Sequence, residues 1–325
     1  MNFFYLLVYA IIFILSTQNL LPQKWVSIKC GVLHSMALKS DSSIWVWGNN
    51  YDGQIGDKTN NVRYKPVQIE KYEKWKTIAA GTFHSLAIKS DNSLWAWGSN
   101  PGGQLGDGTV IDRNYPVKVG SENDWDRIGA GRYHTIAIKK DGTLWTWGFN
   151  GNGQLGIGNK ETKNVPIQVS SDNDWLQADG GGYHTVALKN DGSLWIWGLM
   201  YSSSDGWISQ LSPLQLGDEY DWVEVSAGWE FNIARKSDGT IWGWGYNGNG
   251  QIGNGTILRT MMPIQIGEDS DWIDIEAGSC YSFGIKSNNT LWGWGWNRYG
   301  QIGDGTTSSR SIPVQIGNEC DWFCV

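Results

Sequence analysis

Residues 124–169 decide the fold, and they read DWDRIGAGRYHTIAIKKDGTLWTWGFNGNGQLGIGNKETKNVPIQV. The stretch contains four short strand-like runs, at residues 125–128, 134–138, 144–147 and 166–169. The fourth run alternates apolar and polar side chains, which is typical of a strand. Asp141-Gly142 lies between the second and third runs and favours a type I′ hairpin turn, in which both central residues need a positive φ. This stretch therefore predicts four consecutive strands.

The same plan recurs along the chain, and tryptophans mark its period. The units open on Trp25, Trp75, Trp125, Trp175, Trp222, Trp272 and Trp322. Five of the six spacings are 50 residues, and the one from Trp175 to Trp222 is 47. Short strands in repeated units, none of which can bury its own faces, are typical of a β-propeller with four-stranded blades. The sequence thus predicts an all-β fold of six four-stranded blades, followed at residues 322–325 by the first strand of a seventh unit.

Aromatic pairs predict how the blades pack. Every complete unit has a W-x-W-G motif on its third strand, for example Trp145 and Trp147. Period-2 alternation places both rings of a pair on one face of the strand, and the other face is also mostly apolar. A strand that is apolar on both faces is buried on both faces, so we expect the pairs to form the core between blades. Pro166 opens the fourth run, because a residue without an N–H donor suits the start of a strand or a sheet edge.

The loop at residues 151–156, GNGQLG, fits the G-x-G-x-x-G pattern that holds a pyrophosphate in dinucleotide-binding folds. That function requires a strand before the loop and a helix after it. Here a strand that starts with proline follows, and similar loops recur in other units. We therefore interpret the glycines as left-handed positions in a tight structural loop, and we predict no nucleotide or other cofactor.

The units resemble a known repeat family. Residues 80–109, AGTFHSLAIKSDNSLWAWGSNPGGQLGDGT, and residues 130–148, AGRYHTIAIKKDGTLWTWG, are similar to regulator-of-chromosome-condensation repeats. The similarity extends from Trp25 to the end of the chain. The resemblance implies a propeller, usually of seven blades, in a family that includes a nuclear guanine-nucleotide exchange factor and a secreted inhibitor of β-lactamases. These members share a scaffold and not a chemistry.

Two departures from that family matter. The strand at residues 322–325 either closes a six-bladed ring, by completing the sheet begun near Trp25, or belongs to a longer propeller of which this chain is a fragment. The fourth unit replaces the Gly/Asn loop with LMYSSSDGWISQ at residues 199–210.

Charge and the N-terminal segment predict where the protein works. The formal net charge of −7 and the pI of about 5.1 argue against nucleic acid as a partner, because nucleic acid binds basic surfaces. Residues 3–15 form an unbroken apolar run, too short to span a bilayer comfortably and typical of a signal peptide. We interpret residues 1–24 as a signal peptide or N-terminal anchor and residues 25–325 as one propeller domain. We expect a monomer, secreted or displayed at the cell surface, with no membrane contact beyond this segment.

Histidines and cysteines are the candidates for metal binding and disulfide formation. His34, His84, His134 and His184 occupy one position in successive units, where the next two units have Phe231 and Tyr281. Blades pack about 10 Å apart, whereas a zinc ligand lies about 2.1 Å from its metal, so we expect packing and no metal site. The cysteines are Cys30, Cys280, Cys320 and Cys324, and a Cys30–Cys324 bond would join the first and last units. We favour free thiols. The sequence contains no motif of a catalytic nucleophile, and we predict no enzyme.

Strand alternation sorts the connections between two faces. The top face carries the hairpins of the Asp-Gly type and the acidic connectors between blades. The bottom face carries the A-G-x-x turns, the Gly/Asn loops and many aromatic residues, which are enriched at binding hot spots. Because the units differ most at the fourth to sixth blades, we predict a surface for an unknown protein partner there. It consists of Met200, Tyr201, Trp207, Trp229, Tyr246 and Trp296. Two alternatives stay open: a guanine-nucleotide exchange factor for a small GTPase, implied by the resemblance, and a carbohydrate-binding module.

The loop at residues 151–156 gives the first prediction. Calorimetry of the purified protein with NAD and with GTP should detect no heat of binding, because the loop precedes a strand and no helix N-terminus faces a phosphate. Micromolar binding that disappears on Gly153→Ala would contradict the structural interpretation of this loop.

Overall fold

The computed structural model of the protein describes residues 24–202 and 204–322, which form six four-stranded antiparallel sheets arranged as a ring. The prediction of an all-β propeller with six four-stranded blades is confirmed. No helix within these residues is long and apolar enough to cross a bilayer. The strands are β1 (Trp25–Cys30), β2 (His34–Lys39), β3 (Ile44–Gly48), β4 (Arg63–Ile69), β5 (Trp75–Ala80), β6 (His84–Lys89), β7 (Leu94–Gly98), β8 (Arg113–Lys118), β9 (Trp125–Ala130), β10 (His134–Lys139), β11 (Leu144–Gly148), β12 (Lys163–Gln168), β13 (Trp175–Gly180), β14 (His184–Lys189), β15 (Leu194–Ser202), β16 (Gly206–Gln215), β17 (Trp222–Ala227), β18 (Phe231–Lys236), β19 (Ile241–Gly245), β20 (Thr260–Gln265), β21 (Trp272–Ala277), β22 (Tyr281–Lys286), β23 (Leu291–Gly295) and β24 (Arg310–Ile316).

Each blade is a meander of consecutive strands, and the position of a strand in its unit fixes its distance from the propeller axis. The first strands of successive blades contact one another, and the turns after them surround a cavity on the axis. The first strand of each blade is therefore the innermost. The fourth strand is the outermost, and β12, for example, consists of half-buried and exposed residues.

The hairpin turn between the second and third strands differs from the prediction. Gly142 has a φ of 80°, but Asp141 is not among the residues with positive φ. The Gly142 N–H donates to the Lys139 carbonyl, and the Lys139 N–H donates to the Thr143 carbonyl. This is a type I turn followed by one left-handed residue, so the type I′ prediction is wrong. Asp141 keeps an ordinary backbone conformation, and its carboxylate accepts the Thr143 N–H at 3.0 Å and the Thr143 hydroxyl at 2.7 Å.

The fourth strand begins earlier than predicted. β12 starts at Lys163, whereas the sequence predicted a start at Pro166. The ladder between β11 and β12 is irregular between Thr146 and Gly148, opposite the segment that contains Pro166. An irregular position on an outermost strand tolerates a proline, because no ladder hydrogen bond from its nitrogen is needed there.

The core lies mainly between blades. In the third blade Trp125, Trp145 and Trp147 share one face, with Trp125 ring centroids 6.2 and 6.1 Å from those of Trp145 and Trp147. This tryptophan face packs on aliphatic side chains of the second blade, including Leu86 and Leu94. Trp147 is fully buried, as predicted, whereas Trp145 is half-buried at the edge of the interface. The aliphatic face of the third blade packs in the same way on the tryptophans of the fourth.

The Gly/Asn loop of one blade binds the tryptophan face of the next. The Gln154 carbonyl accepts hydrogen bonds from Trp197 Nε1 at 2.9 Å and from Thr185 Oγ1 at 2.8 Å. Gly156 has a φ of 71°, and a Cβ at this position would lie 2.7 Å from Trp197 Nε1. Close approach and a left-handed backbone together require glycine. In this chain the glycines at residues 151–156 thus allow the loop to approach and bind the indole of the following blade.

The histidines lie buried in the blade interfaces, which fits the predicted packing role. His134 Nε2 lies 2.9 Å from Thr185 Oγ1. Since Thr185 Oγ1 donates its proton to the Gln154 carbonyl, His134 Nε2 must donate to Thr185. Burial, with smaller contributions from the charges of His184 and His84, lowers the pKa of His134 to about 3. The imidazole is therefore neutral in the folded protein near neutral pH.

The described residues begin in the first blade and end against the sixth, and these two blades contact each other. The first blade contains four strands of its own, β1 to β4, so its sheet is complete without residues 322–325. Lys29 Nζ in β1 and Glu276 Oε2 in β21 form an ion pair at 2.7 Å. Trp322 packs on the aliphatic face of the sixth blade. Residues 323–325 lie outside the described residues, so a strand there stays a prediction.

Cys30, Cys280 and Cys320 are free thiols in the structure. Cys324 lies outside the described residues, as do residues 1–23, which contain nearly all of the expected signal peptide or anchor.

The buried histidines predict a defined response to acid. The pKa of His134 is about 3 in the folded state against 6.5 for an ordinary histidine, so only the unfolded state gains this proton as the pH falls from 6.5 toward 3. Stability is therefore lost over that window. His134→Phe, which copies Phe231 of the fifth unit, should reduce the loss by about 1.4 kcal/mol per pH unit, the value for one proton. Urea unfolding at a series of pH values measures the slope, and an unchanged slope would contradict the assignment.

Candidate functional site

Two depressions open on the bottom face. The larger, of roughly 270 Å³, lies on the propeller axis and is lined by the A-G-x-x turns of all six blades. The smaller has a volume of roughly 60 Å³ and lies between the bottom edges of the fourth and fifth blades. We refer to the second depression as the cleft. Trp229 lines both depressions and so connects them.

The cleft brings together five of the six residues that the sequence singled out. Three come from the β15–β16 hairpin, one from the turn after β17 and one from the loop after β19. They are Met200, Tyr201, Trp207, Trp229 and Tyr246. The sixth, Trp296, lies apart from the cleft, on the axial cavity, where its ring packs edge to face on Tyr299 with centroids 5.4 Å apart. The predicted surface is thus one cleft and a neighbouring aromatic pair.

The hairpin in the cleft wall follows from the missing Gly/Asn loop of unit four. β15 and β16 continue their ladder to the pair Tyr201 and Trp207. These two rings lie directly opposite each other, with centroids 5.6 Å apart and planes at 82°, an arrangement that stabilises cross-strand aromatic pairs. Tyr201 remains 41 % exposed and Trp207 47 % exposed. The hairpin therefore presents aromatic area to solvent that no other blade has at this position.

Arg259 is the cleft residue that sequence reasoning missed. Its guanidinium carbon lies 4.3 Å from the ring centroid of Tyr201, 4.7 Å from that of Trp207 and 5.5 Å from that of Tyr246. These distances are within the range of cation–π attraction. Alignment of the units could have found it, because unit five has its arginine one residue earlier than units one, two and six.

A second arginine stacks near the axis. Arg132 follows the A-G of the third blade, and its guanidinium carbon lies 4.4 Å from the ring of Trp229 and 4.8 Å from that of Tyr133. Its Nη1 donates to the Tyr183 hydroxyl at 2.5 Å. Its Nε is buried and has no hydrogen-bond partner among the described residues. Two cations surrounded by aromatic rings therefore lie on the bottom face, on either side of Trp229.

Four lysines of the top face, in contrast, pair with carboxylates of the chain itself. Lys139 is 8 % exposed and pairs with Glu122 at 2.6 Å and Asp124 at 3.3 Å. Its Nζ lies 4.6 Å from the ring centroid of Trp145. The same arrangement recurs at Lys189, Lys236 and Lys286. The acidic connectors predicted for the top face thus hold the blades' own lysines.

Burial raises the pKa of three carboxyl groups on first strands, those of Asp179, Glu224 and Glu276. Burial, together with the neighbouring carboxyl of Asp274, raises the pKa of Glu224 to about 8. Glu224 also accepts a hydrogen bond from Arg235 Nε at 2.8 Å and one from the Ile275 N–H of the next blade at 3.3 Å. The Arg235 contact joins the first two strands of the fifth blade, and the Ile275 contact joins the fifth blade to the sixth, so we assign Glu224 a structural role. No three His, Cys, Asp or Glu side chains in the described residues are grouped closely enough to hold a metal ion.

The comparisons with known proteins agree with this architecture. The sequence profile of the RCC1-like domain matches residues 13–272, and profiles of the regulator of chromosome condensation (RCC1) repeat match residues 272–301 and 288–320. The chain belongs to the RCC1-like family of β-propellers. No curated protein matches it at a significant level.

Solved structures of the same fold extend the comparison. Yeast RCC1 (Prp20), bound to Kap60, is 21% identical with a TM-score of 0.80, over 92% of this chain and 76% of that one. Human WBSCR16 is 20% identical with a TM-score of 0.81, over 91% and 82%. Prp20p from Saccharomyces cerevisiae, described with its binding to Gsp1p and histones, is 21% identical with a TM-score of 0.79, over 92% and 78%. At these identities the likeness establishes the fold.

Proposed function

We propose that this protein is a non-catalytic propeller scaffold that binds a protein partner through its bottom face, at the cleft between the fourth and fifth blades. The observation that carries the proposal is the convergence of Met200, Tyr201, Trp207, Trp229 and Tyr246 on one depression. The repeated frame buries most of its aromatic side chains between blades, but here the rings remain partly exposed. Exposed aromatic residues grouped around a depression are typical of interface hot spots.

The relatives support a protein partner in general terms. Solved structures with the same fold include one bound to Kap60 and one described with its binding to Gsp1p and histones. A protein partner for this chain is consistent with those examples. The exchange-factor alternative requires an element that opens a GTPase, and the six blades resolve into short strands and turns without an inserted wedge in the described residues.

The non-catalytic part of the proposal rests on where the candidate groups lie. The histidines are buried between blades and donate to, or contact, side chains of the next blade. Glu224 is engaged by Arg235 and by a backbone N–H. Of these groups, His184 lines the cleft, where its Nε2 is engaged by Asn232 at 2.7 Å, and Glu224 lines neither of the two depressions.

We also propose export, with the propeller monomeric and either secreted or displayed at the cell surface. The support is the apolar run at residues 3–15, of the length of a signal peptide. N-terminal sequencing of protein from the native host should find a mature start between residues 16 and 24. An intact Met1 in a soluble cytosolic fraction would contradict export and would make a cytosolic GTPase a possible partner again.

Truncation of Trp207 tests the proposed docking surface. Trp207→Ala should weaken capture of the partner from the native host's surface and medium by roughly thirtyfold, because a truncated hot-spot residue costs about 2 kcal/mol or more. The melting temperature should stay nearly fixed, since Trp207 lies at the end of a hairpin and is 47 % exposed. The measurement is quantitative affinity capture followed by thermal unfolding of the same preparations.

Two controls separate binding from folding. Tyr220→Ala removes a 57 % exposed ring from the top face, near the same pair of blades, and should leave capture unchanged. Trp147→Ala removes a fully buried ring and should lower the melting temperature strongly. Normal capture by Trp207→Ala, or equal loss with Tyr220→Ala, would place the binding surface elsewhere.

A further inference from the structure

Arg259 departs from the repeat at a position where three other units have an arginine that stabilises the loop. In three units an arginine pairs with an aspartate of the Gly/Asn loop: Arg63 with Asp57, Arg113 with Asp107, and Arg310 with Asp304. Unit five has Asn254 in place of the aspartate and Thr260 in place of the arginine. Its arginine lies one residue earlier, so the loop does not use its charge.

The surroundings of Arg259 leave most of its hydrogen-bonding capacity unused. The side chain is 23 % exposed and lies against three aromatic rings. The nearest carboxylate in the described residues is Glu230, at 3.8 Å, beyond hydrogen-bonding distance. A guanidinium is always charged and carries five N–H donors. The ion pair with Glu230, which also lines the cleft, is too long for a hydrogen bond, so a ligand carboxylate that reaches the guanidinium would form the shorter, charge-assisted bonds that Glu230 does not.

The shape and polarity of the cleft limit what that ligand can be. A carboxylate matches the planar fork of a guanidinium with two parallel hydrogen bonds. An enclosed apolar cavity of about 150 Å³ binds a benzene ring. The cleft is smaller, roughly 60 Å³, and this favours the tip of an acidic side chain over a sugar or aromatic ring. Around it Trp207 and Met261 are exposed by 47 % and 42 %, which favours an apolar neighbour of the carboxylate.

We propose that the cleft binds an acidic peptide segment of the partner, with an Asp or Glu carboxylate paired to Arg259 and an adjacent apolar side chain on Trp207 and Met261. The inference rests on the proposed function and specifies the chemistry of its partner. Arg132 lines the axial cavity, with its guanidinium carbon 4.4 Å from the ring of Trp229, and would receive a second acidic side chain of the same segment. The net negative charge of the chain disfavours a polyanion such as nucleic acid.

The test uses a displayed library of random peptides, selected on the full chain. Enriched peptides should contain Asp or Glu next to an apolar residue. Synthetic copies with amidated C-termini should bind with an affinity that falls at least about tenfold when the acid is changed to its amide, or on Arg259→Gln, and that weakens as salt rises. Arg259→Lys keeps the positive charge but loses the planar guanidinium that forms two parallel hydrogen bonds. The peptide affinity of this variant should lie between those of the wild-type chain and Arg259→Gln.

Arg113→Gln is the matched control. It removes the arginine that pairs with Asp107 through Nε at 2.9 Å and Nη2 at 2.8 Å, so it should lower the melting temperature and leave peptide affinity unchanged. Arg259→Gln should do the reverse, because no loop bond depends on it. Equal effects of the two variants on affinity would overturn the proposal.

The remaining outcomes distinguish this inference from the proposed function. Peptides that lose affinity on Trp207→Ala but carry no acid, or bind Arg259→Gln normally, would overturn the acidic-segment proposal and keep the bottom face as a protein-binding surface. Peptides that bind only with a free C-terminal carboxylate would overturn the choice of an internal acidic residue. Failure to enrich any peptide sensitive to Trp207→Ala would count against both proposals.

Discussion

The packing of a tryptophan face on an aliphatic face, repeated between successive blades, is the interaction on which the rest of this structure depends. Each blade offers tryptophans to the blade before it and aliphatic side chains to the blade after it, as Trp125 and Trp147 do with Leu86 and Leu94. A buried tryptophan removes about 200 Å² from water, which corresponds to at most ~5 kcal/mol at about 25 cal/mol per Å². A single blade cannot obtain this burial alone, so the blades are stable only as an array.

That constraint determines how the polar groups are used. The Gln154 carbonyl of the preceding loop accepts the indole N–H of Trp197. The buried indole N–H groups of Trp125 and Trp175, in contrast, have no hydrogen-bond partner among the described residues. The loop must approach closely, which requires glycine at Gly156. At the same junction His134 donates to Thr185. On the top face the Lys139 ammonium lies over the ring of Trp145 and pairs with the carboxylate of Glu122. Most polar side chains of the repeat therefore serve its own assembly.

Binding specificity is then confined to positions where the units stop being alike. Unit four has lost its Gly/Asn loop, and its outer hairpin extends to Tyr201 and Trp207. Unit five has exchanged the loop aspartate for Asn254 and moved its arginine to 259. These two departures lie on adjacent blades and meet in the cleft. Arg259 of the fifth blade contacts the Tyr201 and Trp207 rings of the fourth, so together the two departures place a cation among exposed rings.

The sequence by itself determined the architecture, because the period of its tryptophans and the alternation within each run follow directly from burial between identical units. It also placed Met200, Tyr201, Trp207, Trp229 and Tyr246 on one face, since strand order fixes the end of the blade at which a loop lies. It misjudged Asp141, because one left-handed residue suffices for the turn, and the start of β12, because an outer strand tolerates Pro166 at an irregular position. The tertiary structure alone decided that Trp296 lies apart on the axial cavity and that Arg259 lies among the rings of two blades. Both depend on the distances between units, which packing sets and no local pattern encodes.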